Sequence, residues 1–162
     1  MARPLRVNIV DGWYHVMHRG IDQRKIFADR RDYEHFLDLF GEVHERYRFQ
    51  IHAYCLFGNH YHALIQTPDA NLSQGMQWFG QSYSAWFNAR HERVGPLFQG
   101  RFKGILVDSN ESWLLDLSLY VHLNPVRVKR LGLDKQGQQV ESRGRTVPSP
   151  DVVRKRLATL RA

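Results

Sequence analysis

The sequence is poor in cysteine and has no long apolar run. Its 162 residues include a single cysteine, Cys55, which excludes an internal disulfide and favours a reducing, cytoplasmic setting. No apolar stretch approaches the roughly 20 residues that a membrane-spanning helix needs, and the N-terminus lacks the apolar core of a signal peptide. We therefore expect a cytoplasmic protein with no membrane partner, in which Cys55 is a small buried residue.

The sequence also lacks a nucleotide-binding loop. No stretch fits the pattern G-x-x-x-x-G-K-[ST], so a P-loop and its nucleotide cofactor are not expected. No internal repeat or low-complexity block is apparent either. Hydrophobic residues make up 43% of the chain and aromatic residues 12%, which is typical of a globular protein with its own core.

The charge is unevenly distributed along the chain. Residues 1–126 contain 13 Lys and Arg against 13 Asp and Glu, whereas residues 127–162 contain 10 against 3 and supply the whole net charge of +7. All nine histidines lie in the neutral part. A basic tail on a neutral body favours a polyanion partner, most simply nucleic acid; the alternative is that the tail only aids solubility.

Two histidines lie two residues apart in the stretch His60-Tyr61-His62. Side chains alternate along a strand, so His60 and His62 would project from one face and Tyr61 from the other. Two neighbouring imidazoles can bind one divalent metal ion. With nine histidines in the chain, such a pair can also arise by chance, so the pair alone leaves both interpretations open.

Hydrophobic periodicity and turn residues predict seven elements. They are a strand over 13–20, a helix over 30–47, strands over 49–57 and 60–67, a helix over 72–93, a strand over 102–107 and a helix over 111–123. Asp29 and Asn71 are the predicted N-caps of the first two helices, and Gly58-Asn59 is the predicted hairpin turn. This order predicts an α+β domain with a mostly antiparallel, ferredoxin-like sheet and packed helices.

The predicted first strand carries two further histidines, His15 and His18, on opposite faces. Either could face the side of the sheet that holds the histidine pair. A histidine that is simply hydrogen-bonded, with no ligand role, is the simpler interpretation of each.

The end of the last predicted helix contains a second candidate group. Tyr120 and Asn124 are four residues apart and share a helix face, and Pro125 must end or kink the helix. The Asn124 carbonyl is then available as an oxygen ligand at the helix end. Equally, Tyr120 could be a packing residue and Asn124 a C-cap.

Three separated motifs together resemble a known family. They are Asn59-His60-Tyr61-His62, the stretch GPLFQGRFK over 95–103, and the stretch YVHLNPVR over 120–127. The set, together with His15-Val16, Arg19-Gly20 and the arm at residues 3–6, resembles the REP-associated tyrosine transposases. These are single-tyrosine transposases of the HUH endonuclease superfamily, and the resemblance covers about residues 1–128.

The resemblance implies a function and a set of site residues. Tyr120 would be the catalytic nucleophile, and His60, His62 and Asn124 would bind Mg²⁺ or Mn²⁺. The enzyme would nick and rejoin single-stranded DNA near REP-type hairpins through a 5′-phosphotyrosine, with no nucleotide cofactor. A homodimer, with Tyr120 acting in its own site or in the partner's, is left open.

The same resemblance and the basic residues suggest how DNA is bound. The candidate contacts are Arg3, Arg6, Arg19, Gln99, Arg101, Lys103, Arg127, Lys129 and Arg130. Phe98 and Trp78 could stack on unpaired bases. We expect a transposase domain over 1–131 and a basic, loop-rich tail over 132–162, which could contain a short helix. The rival functions are a non-catalytic nucleic-acid-binding regulator and, less simply, a histidine-based metallohydrolase.

Overall fold

The computed structural model describes residues 7–107, which form an antiparallel sheet with two helices. The elements are β1 (Gly12–Arg19), a 3-10 turn (Ile21–Gln23), α1 (Arg30–Tyr47), β2 (Gln50–Phe57), β3 (His60–Thr67), α2 (Leu72–Arg90) and β4 (Lys103–Val107). The strand order is β2-β3-β1-β4, and every neighbouring pair is antiparallel. This is the βαββαβ arrangement of a ferredoxin-like sheet, so the predicted α+β fold is confirmed. The predicted helix over 111–123 and the domain boundary after 131 lie outside the described residues.

Helix α1 begins where its sequence predicts. The Asp29 side chain accepts hydrogen bonds from the N–H groups of Arg31 and Asp32, and the Asp32 carboxylate accepts one from the Asp29 N–H, which completes a capping box. The helix ends at Tyr47 because Arg48 adopts a left-handed conformation with φ of 59°. The predicted bounds of 30–47 are therefore confirmed at both ends.

Helix α2 begins at the predicted residue, but its first turn is capped by a different side chain from the one predicted. Asn71 occupies the N-cap position, yet its side chain makes no capping bond and instead donates to the Tyr47 carbonyl at 3.0 Å. The N–H of Ser73 is satisfied by Asn8 Oδ1 at 3.2 Å. The prediction of Asn71 as the capping side chain was thus wrong, because a residue distant in sequence supplies the cap.

The two faces of the sheet pack differently. Both α1 and α2 cover one face, where Tyr14, Val16 and Tyr61 join the main core. The opposite face carries a small buried cluster of Ala53, Cys55 and Leu64. Cys55 is only 4% exposed, as predicted.

Two aromatic residues that were candidates for base stacking pack within the protein instead. Phe98 is buried in the main core and stacks on His18 with ring centroids 4.1 Å apart. Trp78 packs partly buried against the same core, and the Arg46 guanidinium lies 4.7 Å from its ring centroid. Both side chains are therefore already engaged, which argues against the stacking interpretation.

Within residues 7–107, neither α1 nor α2 is long and apolar enough to cross a membrane.

Candidate active site

The histidine pair lies on the sheet face opposite the two helices. His62 is paired with Met17 of β1 on one side and with Cys55 of β2 on the other. His60 is likewise paired with Arg19 and Phe57. Directly paired residues of antiparallel strands point to the same face. The strand register therefore brings residues of β1, β2 and β3 together around the two imidazoles.

The two imidazoles lean toward each other. Alternate residues of a strand are separated by roughly 6.6 Å along the chain, but the ring centroids of His60 and His62 are only 5.3 Å apart, with the ring planes at 78°. Two imidazoles that bind one ion through single nitrogens at about 2.1 Å place their centroids roughly 4.5–5.3 Å apart. The geometry of the pair thus fits two ligands of one metal ion.

The orientation of His60 is fixed by a chain of hydrogen bonds. The Asn59 Nδ2 group donates to the Gln23 carbonyl at 3.2 Å, so the amide must turn Oδ1 toward His60. Asn59 Oδ1 is 2.7 Å from His60 Nδ1. Because an amide oxygen can only accept, the proton of a neutral His60 is on Nδ1. Its lone pair is therefore on Nε2, as metal binding through that atom requires.

His62 is held by a third histidine. His15 Nε2 lies 3.0 Å from His62 Nδ1, and the ring planes are within 23° of parallel. The ring centroids are 5.2 Å apart. This is close to the largest separation that two rings joined by this hydrogen bond can have, because each centroid lies about one ring radius behind its nitrogen. The rings therefore lie end to end and not face to face, and the hydrogen bond runs nearly in both ring planes.

Burial favours the neutral form of these histidines. Desolvation lowers the pKa of His60 below its ordinary value, and the positive charge of Arg19 lowers it further. Desolvation also lowers the pKa of His15. Neutral imidazoles keep a lone pair for a metal ion or a hydrogen-bond donor, so the electrostatics agree with the geometry.

The predicted DNA contacts that the structure describes fall on two surfaces. Arg19 and Lys103 lie on the histidine face, because Lys103 is paired with Met17, which is also paired with His62. Gln99 accepts a hydrogen bond from Arg19 Nε, and its N–H donates to the Arg19 carbonyl at 2.9 Å. These contacts place an exposed guanidinium beside the histidine pair.

Arg101 lies elsewhere. It lines a groove of about 790 Å³ between α2 and residues 96–102, together with His18 and the side chains of Gln77 and Gln81. His18 projects from the face of β1 opposite to His15, toward Tyr61 and Phe98. The four described candidates for DNA contact therefore do not form one continuous cluster.

The remaining predicted site residues are outside the described part of the chain. These are Tyr120, Asn124, Arg3, Arg6, Arg127, Lys129 and Arg130. Within residues 7–107, no group of three or more His, Cys, Asp or Glu side chains could hold a metal ion. The described residues thus supply two candidate ligands, His60 and His62.

Two residues of the site were not recognised for their roles in the sequence. In the sequence Asn59 is typical of a turn and is part of the motif Asn59-His60-Tyr61-His62, and the simpler interpretation of His15 is a hydrogen bond with no specified partner. The alternation along β1 did indicate that His15 and His18 face opposite sides. The contact of His15 with His62 is seen only in the structure, where a side-chain hydrogen bond runs diagonally between β1 and β3, because His15 is paired with Leu64 and His62 with Met17.

Comparisons with known proteins agree with this fold. The sequence model of the IS200-like transposases matches residues 8–122, whereas no curated protein sequence matches. A REP-associated tyrosine transposase, solved bound to a REP hairpin, has a similar structure at 17% identity, with a TM-score of 0.62 over 78% of this chain and 74% of that one. A protein assigned as a transposase from Deinococcus radiodurans R1 is similar at 11% identity, with a TM-score of 0.50 over 75% and 96%.

The structural matches and the family match together assign the chain to a class of protein and to a family. The antiparallel ferredoxin-like sheet with two helices is the fold that the chain shares with these structures, and together with the family model it defines a DNA-cleaving transposase domain. The family match spans well over half of the sequence, and the chain belongs to the IS200-like transposase family. It is therefore an enzyme whose partner is DNA, in a superfamily that generally uses a divalent metal ion.

Proposed function

We propose that this transposase nicks and rejoins single-stranded DNA beside REP-type hairpins through a 5′-phosphotyrosine at Tyr120. In this proposal His60, His62 and Asn124 bind the metal ion, Mg²⁺ or Mn²⁺. The observation that carries it is the convergence of His60 and His62 on the sheet face opposite α1 and α2, with ring centroids 5.3 Å apart and Arg19 beside them.

The chemistry requires a good electrophile and an activated nucleophile. A bound divalent ion would polarise the scissile phosphate and lower the cost of charge in the transition state. The Tyr120 hydroxyl, whose ordinary pKa is about 10, loses its proton as its oxygen attacks phosphorus. The bond from phosphorus to the 3′-oxygen breaks, and the 3′-hydroxyl leaves with a proton. The phosphodiester energy is kept in the phosphotyrosine, so rejoining needs no nucleotide.

The residues of this chain position the substrate. His60 and His62 would hold their side of the site rigidly, because both lie on a central strand that is paired on both edges. Arg19 supplies a positive charge next to His60 that can bind a phosphate oxygen. Lys103, in the same cross-strand row as His62, can bind a second phosphate along the face.

The DNA substrate is proposed from the family and from charge. A protein with this fold was solved with a REP hairpin, and the excess of Lys and Arg beyond residue 126 favours a nucleic-acid partner. We assign further backbone contacts to Gln99 and Arg101 and to residues outside the described range: Arg3, Arg6, Arg127, Lys129 and Arg130.

The test is a covalent-capture assay. The full chain is incubated with labelled single-stranded hairpin oligonucleotides and Mn²⁺, and denaturing gels are used to detect a protein–DNA adduct. We expect an adduct with the wild type and none with Tyr120→Phe. Tyr54→Phe is the matched control, because Tyr54 is an exposed tyrosine on β2, and this variant should form the adduct normally.

Two results would overturn the proposal. An adduct that survives in Tyr120→Phe would assign the nucleophile to another residue. DNA binding without any adduct across a broad hairpin library would favour the non-catalytic regulator instead.

A further inference from the structure

We propose that His15 is a positioning residue that sets the tautomer and orientation of His62 for metal binding. The inference rests on the proposed function, since it takes His60 and His62 as the metal ligands. The observation that supports it is the hydrogen bond of 3.0 Å between His15 Nε2 and His62 Nδ1, which joins β1 to β3.

The hydrogen bond allows two proton arrangements, and only one suits a metal ligand. A neutral imidazole carries one N–H and one lone pair. If His62 Nδ1 carries the proton and donates it to His15 Nε2, the lone pair of His62 is on Nε2. If His15 Nε2 carries the proton, His62 Nδ1 accepts it with its only lone pair. His62 Nε2 then carries the ring hydrogen, which prevents it from binding the ion.

The geometry of the site favours the first arrangement. His60 already has its proton on Nδ1, because Asn59 Oδ1 at 2.7 Å can only accept it, and therefore presents Nε2. When His15 accepts from His62, both ligands of the pair present the same atom, Nε2, to one ion. Each Nδ1 proton then has its own acceptor, Asn59 for one histidine and His15 for the other.

The place of His15 in the sheet makes it a rigid acceptor. Its side chain is 8% exposed, and its residue is paired with Leu64 of β3 on one side and Ile105 of β4 on the other. The end-to-end arrangement of the two rings, 23° from parallel, directs the lone pair of the acceptor along the N–H bond. Within residues 7–107 His15 belongs to no group of three or more side chains that could hold a metal ion, and its hydrogen bond to His62 Nδ1 is the contact through which it would act.

The experiment measures binding of Mn²⁺ alone to the full chain by electron paramagnetic resonance, without DNA. Three variants separate the roles: His15→Leu removes the acceptor, His15→Gln restores an acceptor oxygen at a similar reach, and His52→Leu removes an exposed histidine that contacts Trp13. Loss of a group that orients a metal ligand typically costs 10–100-fold in affinity. We expect a weakening of about that size for His15→Leu and a change below about threefold for the other two.

The Mn²⁺ concentration that gives half-maximal adduct formation should shift in the same way. Thermal unfolding of each variant checks the fold, and His15→Met replaces His15→Leu if the latter does not fold. Mn²⁺ affinity in a folded His15→Leu or His15→Met equal to that of the wild type would overturn the inference. Equal weakening by His15→Gln and His15→Leu would also overturn it, because a purely steric role would then suffice.

Failure of the proposed function has a separate signature. If His60→Ala and His62→Ala bind Mn²⁺ as well as the wild type, the metal site itself is wrong. If those two lose Mn²⁺ and His15→Leu does not, the metal site stands and only the role of His15 is wrong.

Discussion

Arg19 and His60 are direct cross-strand partners where β1 ends and β3 begins. The guanidinium is exposed, and its charge adds to desolvation in lowering the pKa of His60. A cation this close keeps the imidazole neutral, and it also makes the edge of the histidine face attractive to an anion. The pairing thus joins a candidate metal ligand to a candidate phosphate contact.

Arg19→Ala should weaken binding of single-stranded DNA and reduce its dependence on salt. Removal of one phosphate contact lowers the slope of log affinity against log salt by about one. Fluorescence anisotropy at several salt concentrations measures both quantities. Arg30→Ala is the control, because Arg30 is exposed on α1 and pairs with Glu34. A slope for Arg19→Ala equal to that of the control would exclude Arg19 from the DNA interface.

Substitution of Asp32, in the first turn of α1, should lower the stability of the folded protein. Its fully buried carboxylate accepts from Arg90 at 2.7 Å and from the Ala28 N–H at 2.7 Å, and His91 Nε2 lies 2.9 Å away. Asp32→Ala removes the acceptor of the Ala28 N–H and leaves Arg90 with Asp29 as its remaining carboxylate partner, so we expect a loss of about 2 kcal/mol or more in the free energy of unfolding. Urea denaturation measures it.

The surface pair of Arg30 and Glu34 provides the comparison for Asp32. Glu34→Ala breaks an exposed ion pair and should cost less than about 0.5 kcal/mol. A loss for Asp32→Ala as small as that for Glu34→Ala would contradict the role given to the buried carboxylate.

The sequence predicted the elements whose ends are set by local contacts. Asp29 and Asp32 form their capping box within one turn, and the predicted bounds of α1 and β3 were both confirmed. The cap of α2 could not be predicted in this way, since Asn8 reaches Ser73 across the fold. Asn71 has the right residue type for a cap, but tertiary structure directs its side chain to Tyr47.

The same distinction between local pattern and tertiary contacts applies to the candidate site. Alternation along a strand was enough to predict that His60 and His62 share a face. The contact of His15 with His62 depends on strand register, which the hydrophobic pattern of one strand does not fix. The orientation of Asn59 depends on the Gln23 carbonyl in a separate turn. Local pattern thus predicted the ligand pair, and the three-dimensional structure added the groups that orient it.

Acid should remove the stabilisation that Asp29 provides. The hydrogen bond from Arg90 is the largest cause that lowers the pKa of Asp29 below its ordinary value. A lowered pKa in the folded state means that the contribution is present above the unfolded pKa of about 3.9 and is lost as the pH falls below it. The difference in melting temperature between wild type and Asp29→Asn should therefore be largest near pH 6 and shrink below about pH 4. A difference that stays constant over this range would contradict the ion pair.

Cys55 should be unreactive in the folded protein. Burial raises the pKa of its thiol to about 11, and the residue is only 4% exposed, so little thiolate is present or accessible at pH 8. Iodoacetamide followed by mass spectrometry should show alkylation in guanidinium chloride and almost none under native conditions. Rapid native alkylation would show that the cluster of Ala53, Cys55 and Leu64 opens readily.

In the proposed function His60 and His62 hold the metal ion for cleavage and are not needed to bind DNA. The most direct measurement compares His60→Ala with the wild type for hairpin DNA affinity and for adduct formation with Mn²⁺, in the same preparations. We predict that His60→Ala forms no adduct while its DNA affinity changes by less than about threefold, since the imidazole contributes little to phosphate binding. Equal loss of binding and cleavage would show that His60 is structural and would contradict its role as a metal ligand.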